Sequence, residues 1–345
     1  MRNSTYLGLF VLGVSVLIAV GCQKYFPEDR ESIGNESLFI ETAFEPVLGR
    51  TTLYTKIFSN PNQGTSYPVE FKIVNMRKFN GDPAPELTDI FPVKVWKQAY
   101  TGEEKTLQEI EEKRVLENRP LFEVRKHSGD VVLWSEARSA FVSPQPDSGY
   151  VFDIELSNTG GRRYFRNMRL KPFRERAFEP TTINAITGQS VNSRIAPSIV
   201  AGITGAKTGE YIGGGDVHVF IRKAAVQTPA GNTLKFMFLD TLFKPINPQL
   251  FDETKWDELV HGFNKTFTDT SVVYNMAYPI PAAQLPTKYT TFDGSRATVD
   301  FRFSRIGYGG LRFQAILGLN FAIYEKADWE IVFAFVRDNP KFEDD

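Results

Sequence analysis

The 345-residue chain has one cysteine, at position 22, three histidines and almost no net charge, −1 from 40 basic and 41 acidic residues. A single thiol excludes a disulfide framework and a cysteine-built zinc site. His127, His218 and His261 share no metal-ligand spacing and fall in different predicted elements, so nothing in their placement proposes a metal. Charge balance argues against a general nucleic-acid binder. Gly-x-Ser-x-Gly is absent, so no nucleophile elbow is present. The longest apolar run, Leu7 to Val20, has 14 residues, short for a membrane span of ~20. Glycine and proline are near average, which excludes collagen-like and linker-dominated chains.

What is present is a globular composition, 42% hydrophobic and 13% aromatic with 29 Phe and 13 Tyr, which leans toward β-structure. Arg2 followed by the 14-residue run and Ala19-Val20-Gly21-Cys22 reads as a secretory signal over residues 1–21. The last four residues resemble the lipobox of bacterial lipoproteins, with Ala19 in place of the usual leucine. That resemblance implies acylation of Cys22. The alternative is an ordinary signal peptide with an incidental cysteine. Acyl chains on Cys22 would anchor the protein durably, since each buried CH₂ contributes ~0.8 kcal/mol. Residues 22–45 then read as anchor and tether.

Strand-like runs cover 52–58, 69–74 and 92–96. Thr106 to Glu109 fits a capping box that opens a charged surface helix running to about Glu117. Two hairpins follow. Residues 121–125 and 131–135 flank His127-Ser128-Gly129-Asp130. In Tyr150–Leu156, Tyr150, Phe152, Ile154 and Leu156 share one face, and the strand returns over 163–171. The spacing predicts a β-sandwich over 46–172. A Thr-, Ser-, Gly- and Pro-rich interdomain segment or long ordered loop spans 173–215, and a second β-rich domain spans 216–345. In that second domain Val299, Phe301 and Phe303 alternate, as do Trp329, Ile331, Phe333 and Phe335. Trp256, Leu259, Val260 and Phe263 fall on a helical stripe. The predicted fold is mostly β, two β-sandwich-like domains with a few short helices.

Gly202-Ile-Thr-Gly205-Ala206-Lys207-Thr208 lacks the glycine that a phosphate loop needs before its lysine, so it reads as a turn-rich loop, and Gly213 to Asp216 as a flexible turn. Asp153 and Glu155 share a strand, but with 41 acidic residues such a pair is no evidence for a glycosidase. No catalytic residue and no cofactor is expected. Ring faces can stack on sugars. Trp96, which shares its face with Lys94 and Gln98, and Trp134 are the candidate ligand-binding tryptophans, while Trp256 and Trp329 read as core. The basic run Arg162, Arg163, Arg166, Arg169, Lys171, Arg174 and Arg176 is opposed only by Glu175. Cross-strand pairing with Asp153 and Glu155 is the routine expectation for it. A patch for an anionic ligand, lipid headgroup or acidic partner, centred on Arg162, Arg163, Arg166, Arg169 and Lys171, is the alternative.

Five segments carry a resemblance: Tyr25-Phe-Pro-Glu-Asp-Arg30, Leu48-Gly-Arg-Thr-Thr-Leu-Tyr54, Phe79-Asn-Gly-Asp-Pro-Ala-Pro-Glu-Leu-Thr88, Tyr100-Thr-Gly-Glu-Glu104 and Pro120-Leu-Phe-Glu-Val124. On these the chain resembles a family of Bacteroidota lipoproteins encoded near SusC/SusD-type outer-membrane uptake systems. The resemblance implies an accessory surface lipoprotein beside an importer, with an immunoglobulin-like first domain. The family has no established activity to carry over. The expectation is therefore a lipid-anchored outer-membrane protein, on the cell surface or the periplasmic leaflet, that binds a nutrient such as a glycan or docks on the importer without catalysis. A glycoside hydrolase or other surface enzyme, and a purely structural subunit, are the alternatives.

Overall fold

The structure, a computed structural model, describes residues 31–191 and 194–345. The expected signal segment and Cys22 lie outside them. The described residues build two large hydrophobic cores, one drawn from residues 39–170 and one from 195–335, and a small third cluster of Tyr100, Ile110 and Ala277.

The period-two pattern of Tyr150–Asn158 sets the first core. Tyr150, Phe152, Ile154 and Leu156 are all fully buried. This strand pairs with Gly161–Leu170 and with Glu70–Lys78, and Ala43–Phe44 adds in parallel to Arg169 and Leu170. A three-stranded sheet, Thr52–Tyr54, Val131–Leu133 and Phe122–Val124, faces these four strands. The Phe122 ring meets Phe152 edge-on at 5.1 Å between the two sheets.

Two bulges interrupt the larger sheet. The register shifts where Asn167 (φ 61°) faces the central strand and again where Asn75 (φ 54°) does. Asp153 holds both. Its carboxylate accepts from the Asn167 amide at 2.8 Å and from Asn75 Nδ2 at 2.9 Å. The extra residue changes the side-chain parity of the return strand. Arg162, Tyr164, Arg166 and Arg169 all point outward, and Met168 and Leu170 are buried. Strict alternation, without the extra residue, places Arg166 on the face opposite Arg169.

A two-stranded ribbon, Ile90–Trp96 with Arg114–Pro120, extends from this domain. Its end carries the helix Leu107–Glu112, where Thr106 Oγ1 accepts from the Glu109 amide and Glu109 accepts from the Lys105 amide. The expected helix to Glu117 stops five residues early. From Arg114 the chain alternates Val115, Glu117 and Arg119 with outward residues and takes a ladder opposite Ile90–Trp96.

The second core lies between two further sheets. One has the order Val217–Lys223, Trp329–Phe335, Thr233–Leu239, Ser271–Met276, Gly262–Thr268, with Pro245–Ile246 also on Thr233–Leu239. Its central pair, Thr233–Leu239 and Trp329–Phe335, is parallel. The other is the hairpin of Ala297–Ile306 and Arg312–Ile323, flanked by Ile199–Ala201 and Phe178–Glu179. Segment 173–215 thus supplies two strands to this domain and Ile195, Ile203 and Ile212 to its core. Trp329 is buried and Trp256 packs half-buried against the same core. The helical stripe at 256–263 is a single 3₁₀ turn, Trp256–Glu258, because the strand beginning at Gly262 claims Phe263 and Phe267.

Candidate functional site

The ribbon brings residues 96–114 of the first domain against 258–297 of the second. The Tyr100 hydroxyl lies 2.5 Å from His261 Nδ1, and His261 Nε2 lies 2.8 Å from the Glu104 carbonyl. A carbonyl can only accept, so Nε2 carries the proton, and in the neutral ring Nδ1 accepts from Tyr100. The imidazole stacks on Tyr289, with centroids 5.0 Å apart and planes 2° apart. Tyr100, His261 and Tyr289, with Val260, Met276 and Ile280, line a narrow recess between the domains. Its floor admits a water-sized group.

The electrostatics here serve attachment. Burial, then the Glu104 charge, pushes the Tyr100 phenol well above its usual range, so it stays a donor. Burial alone would raise the Glu104 carboxyl. Hydrogen bonds from Lys113 and Thr101 outweigh it and hold the group at about 2. That carboxylate takes the Thr101 amide at 3.0 Å, the Thr101 hydroxyl at 3.1 Å, the Gly102 amide at 3.0 Å and the Lys113 ammonium. Arg114 crosses the interface, donating to the carbonyls of Tyr278 at 2.7 Å and Ala282 at 3.2 Å.

The same arginine corrects the expectation for Trp96. Its guanidinium lies 4.2 Å from the Trp96 ring centroid, and the ring is half-buried, not an open platform. Arg114 is the residue directly opposite Trp96 in the ribbon, a neighbour that only the register reveals. Trp134 is corrected likewise. It is 5% exposed, with Arg125 and Arg119 at 5.4 and 5.8 Å from its ring. An arginine lies over a face of each ring, and Trp134 is buried besides.

The loop Gly202–Thr208 makes a nest of amides, and the protein fills it itself. Asp338 accepts from the amides of Lys207 and Thr208 and from the Thr208 hydroxyl, at 3.2, 2.8 and 2.8 Å. Gly202 has φ +68°, and a Cβ there would lie 2.1 Å from the Gln314 carbonyl, so this glycine lets the loop pack on the neighbouring strand. Among the described residues no group of three or more His, Cys, Asp or Glu could hold a metal ion.

The basic run is not neutralised by the pairing expected for it. Asp153 is occupied by the bulges, and Glu155 reaches only Arg162, at 3.8 Å. Arg163 turns inward over the Phe165 ring and donates to the Gly34 carbonyl. Arg166 lies 6.0 Å from the Tyr164 ring and Arg169 5.7 Å from Phe79. Arg174 donates to Ser139, and Arg176 meets Glu179 at 3.6 Å. Among the described residues Arg163, Arg166, Arg169 and Lys171 have no carboxylate partner. Arg77 joins the same outer face across Val151 from Arg169.

One more surface stands out. The turn of the hairpin Ala297–Ile306/Arg312–Ile323 exposes Ile306, Tyr308, Leu311 and Phe313, with Tyr308 at 92% and Leu311 at 65%. This tip is braced. The amides of Ile306 and Tyr308 donate to Asp344 and Asp345 at 2.6 and 2.9 Å, and Arg305 pairs with Asp345 at 2.9 Å. Lys341 and Arg305 hold the Asp345 carboxyl at about 2. The signal was present in sequence as Tyr308-Gly-Gly-Leu311, apolar residues at a glycine turn. It was hidden within a strand pattern that reads as core.

The model of a domain of unknown function, DUF5007, matches residues 58–344. No curated protein and no solved structure matches the chain.

Proposed function

The chain belongs to the DUF5007 family, and from its own residues we propose that it is a lipid-anchored accessory protein of the outer-membrane surface, which docks on a partner without catalysing a reaction. The anchor in this reading is Cys22 and the partner a SusC/SusD-type importer; both rest on the sequence resemblances. The observation that carries docking is the braced apolar tip. Four large apolar side chains stand exposed within eight residues, a grouping that marks interaction surfaces. Bracing by Asp344 and Asp345 lowers the ordering cost of burying them. The two candidate sugar-binding tryptophans are covered by arginines, so the geometry favours docking over glycan capture.

The test is affinity purification of the lipoprotein from detergent-solubilised outer membranes, for the wild type and for Tyr308→Ser/Leu311→Ser. Recovery of the importer by the wild type is expected, falling at least thirtyfold in the variant with its thermal transition unchanged, the scale of losing two central anchor side chains. Recovery of the wild type alone, or equal importer recovery by both proteins, would overturn the proposal.

A further inference from the structure

The outer face of the first domain's larger sheet also lies beside the point where the tether arrives. Glu31 accepts from the Thr159 amide at 3.1 Å and the Thr159 hydroxyl at 2.8 Å. The Ser32 carbonyl accepts from Asn158 Nδ2 at 3.1 Å, and the Gly34 carbonyl from Arg163. The chain is thus clamped to the turn of the long hairpin, and the return strand leaving that turn carries Arg162, Arg166 and Arg169. Cys22 precedes Glu31 by nine residues in the sequence. Nine residues span at most about 30 Å.

We infer that this face, Arg162, Arg166 and Arg169 with Tyr164 and Phe79, rests on the anionic lipid phosphates of the membrane that holds the anchor. The inference rests on the lipid-anchor reading proposed above. Three features of the face support it. The short tether starts the stripe within reach of the bilayer. The arginines run about 20 Å along one strand, and their forks match phosphate oxygens. Tyr164, 43% exposed, stands between Arg162 and Arg166, and Phe79, 53% exposed, lies against Arg169, as aromatic side chains do at headgroup depth. Three carboxylates lie on this face: Asp153 is drawn into the bulges, Glu155 onto Arg162, and Glu70 on the neighbouring strand onto Lys126 at 2.7 Å. The face would fix which side of the domain meets the membrane, a task acyl chains at one residue do not perform.

The mature chain 22–345, made without its signal segment and therefore unacylated, tests this by co-sedimentation with vesicles. Binding to phosphatidylcholine vesicles containing 30% phosphatidylglycerol is expected, with loss at high salt and little binding to phosphatidylcholine alone. Each arginine near an anionic surface is worth about fivefold, so Arg162→Gln/Arg166→Gln/Arg169→Gln should bind about a hundredfold more weakly. Lys244→Gln/Lys255→Gln/Lys326→Gln, in the second domain, removes the same charge and should bind as the wild type does. Equal binding to both vesicle types, or equal losses in the two triple variants, would overturn the inference. So would binding to polygalacturonate without binding to the anionic vesicles, which would assign the face to an acidic glycan. Mass spectrometry of the amino-terminal peptide from native membranes reads acylation separately. An unacylated peptide would sink the anchor reading whatever the vesicles show.

Discussion

Phe301→Ala is expected to destabilise the second domain by about 3–5 kcal/mol, a large share of the roughly 5–15 kcal/mol that holds a typical domain folded. Phe301 is fully buried where the two sheets of that domain meet. Its ring touches Phe238 at 4.8 Å, Phe333 at 5.3 Å, Phe236 at 5.4 Å and Trp256 at 5.7 Å between centroids. Edge-on neighbours on several sides cannot all move in to fill the space the ring vacates. Phe301→Leu, which keeps most of the volume, should cost less. Urea unfolding followed by tryptophan emission reads the effect directly, because Trp256 sits against Phe301. A loss below about 1 kcal/mol would mean that the cluster relaxes around the gap and is not the keystone of this core.

Glu104→Gln should cost roughly 3 kcal/mol at neutral pH, and the penalty should vanish in acid. The folded carboxyl titrates at about 2, below its ordinary value of 4.5. A shift of that size corresponds to roughly 3 kcal/mol at 1.36 kcal/mol per pH unit. The folded state releases this proton more readily than the unfolded chain. The contribution is therefore complete above pH 4.5 and is lost as pH falls toward 2. Asp328 and Asp338 are held low too: burial alone would raise both, and hydrogen bonds from nearby amides and threonines outweigh it. Acid thus weakens the wild type at several places. The test is the urea midpoint of wild type and Glu104→Gln from pH 2 to 7. A gap between the two proteins that stays constant over that range would show that the carboxylate's charge is not what stabilises the ribbon's end.

Much of this fold could be read from alternation. The hairpin at 150–170, the capped helix at 107 and the final strand at 329–335 come directly from side-chain period and cap chemistry. What could not be read depends on partners distant in sequence. The fate of the basic run turned on two asparagines, Asn75 and Asn167, in left-handed conformation. No local pattern signals that Asp153 will staple bulges on both of its neighbours and so leave the arginines unpaired. The covering of Trp96 by Arg114 needed the ribbon register. The Tyr100–His261 contact joins residues 161 apart. Segment 173–215 reads as linker because its strands are two and three residues long, too short to show a period.

The parallel pair at the centre of the second domain also sets an order of assembly. Leu234 lies opposite Trp329, and Leu239 opposite Ala334. Every ladder of the first domain closes within residues 38–170. A chain synthesised from its amino end can therefore complete that domain while half its length is still to come. The second domain can shape its hairpin at 262–276 early, but Thr233–Leu239 has an open edge until the last strand emerges. For about a hundred residues of synthesis, Phe236 and Phe238 wait without Ile331 and Phe333 beside them. The nascent second domain is the part that most needs a holding chaperone, and truncation near residue 328 should yield a folded first domain trailing an aggregation-prone tail.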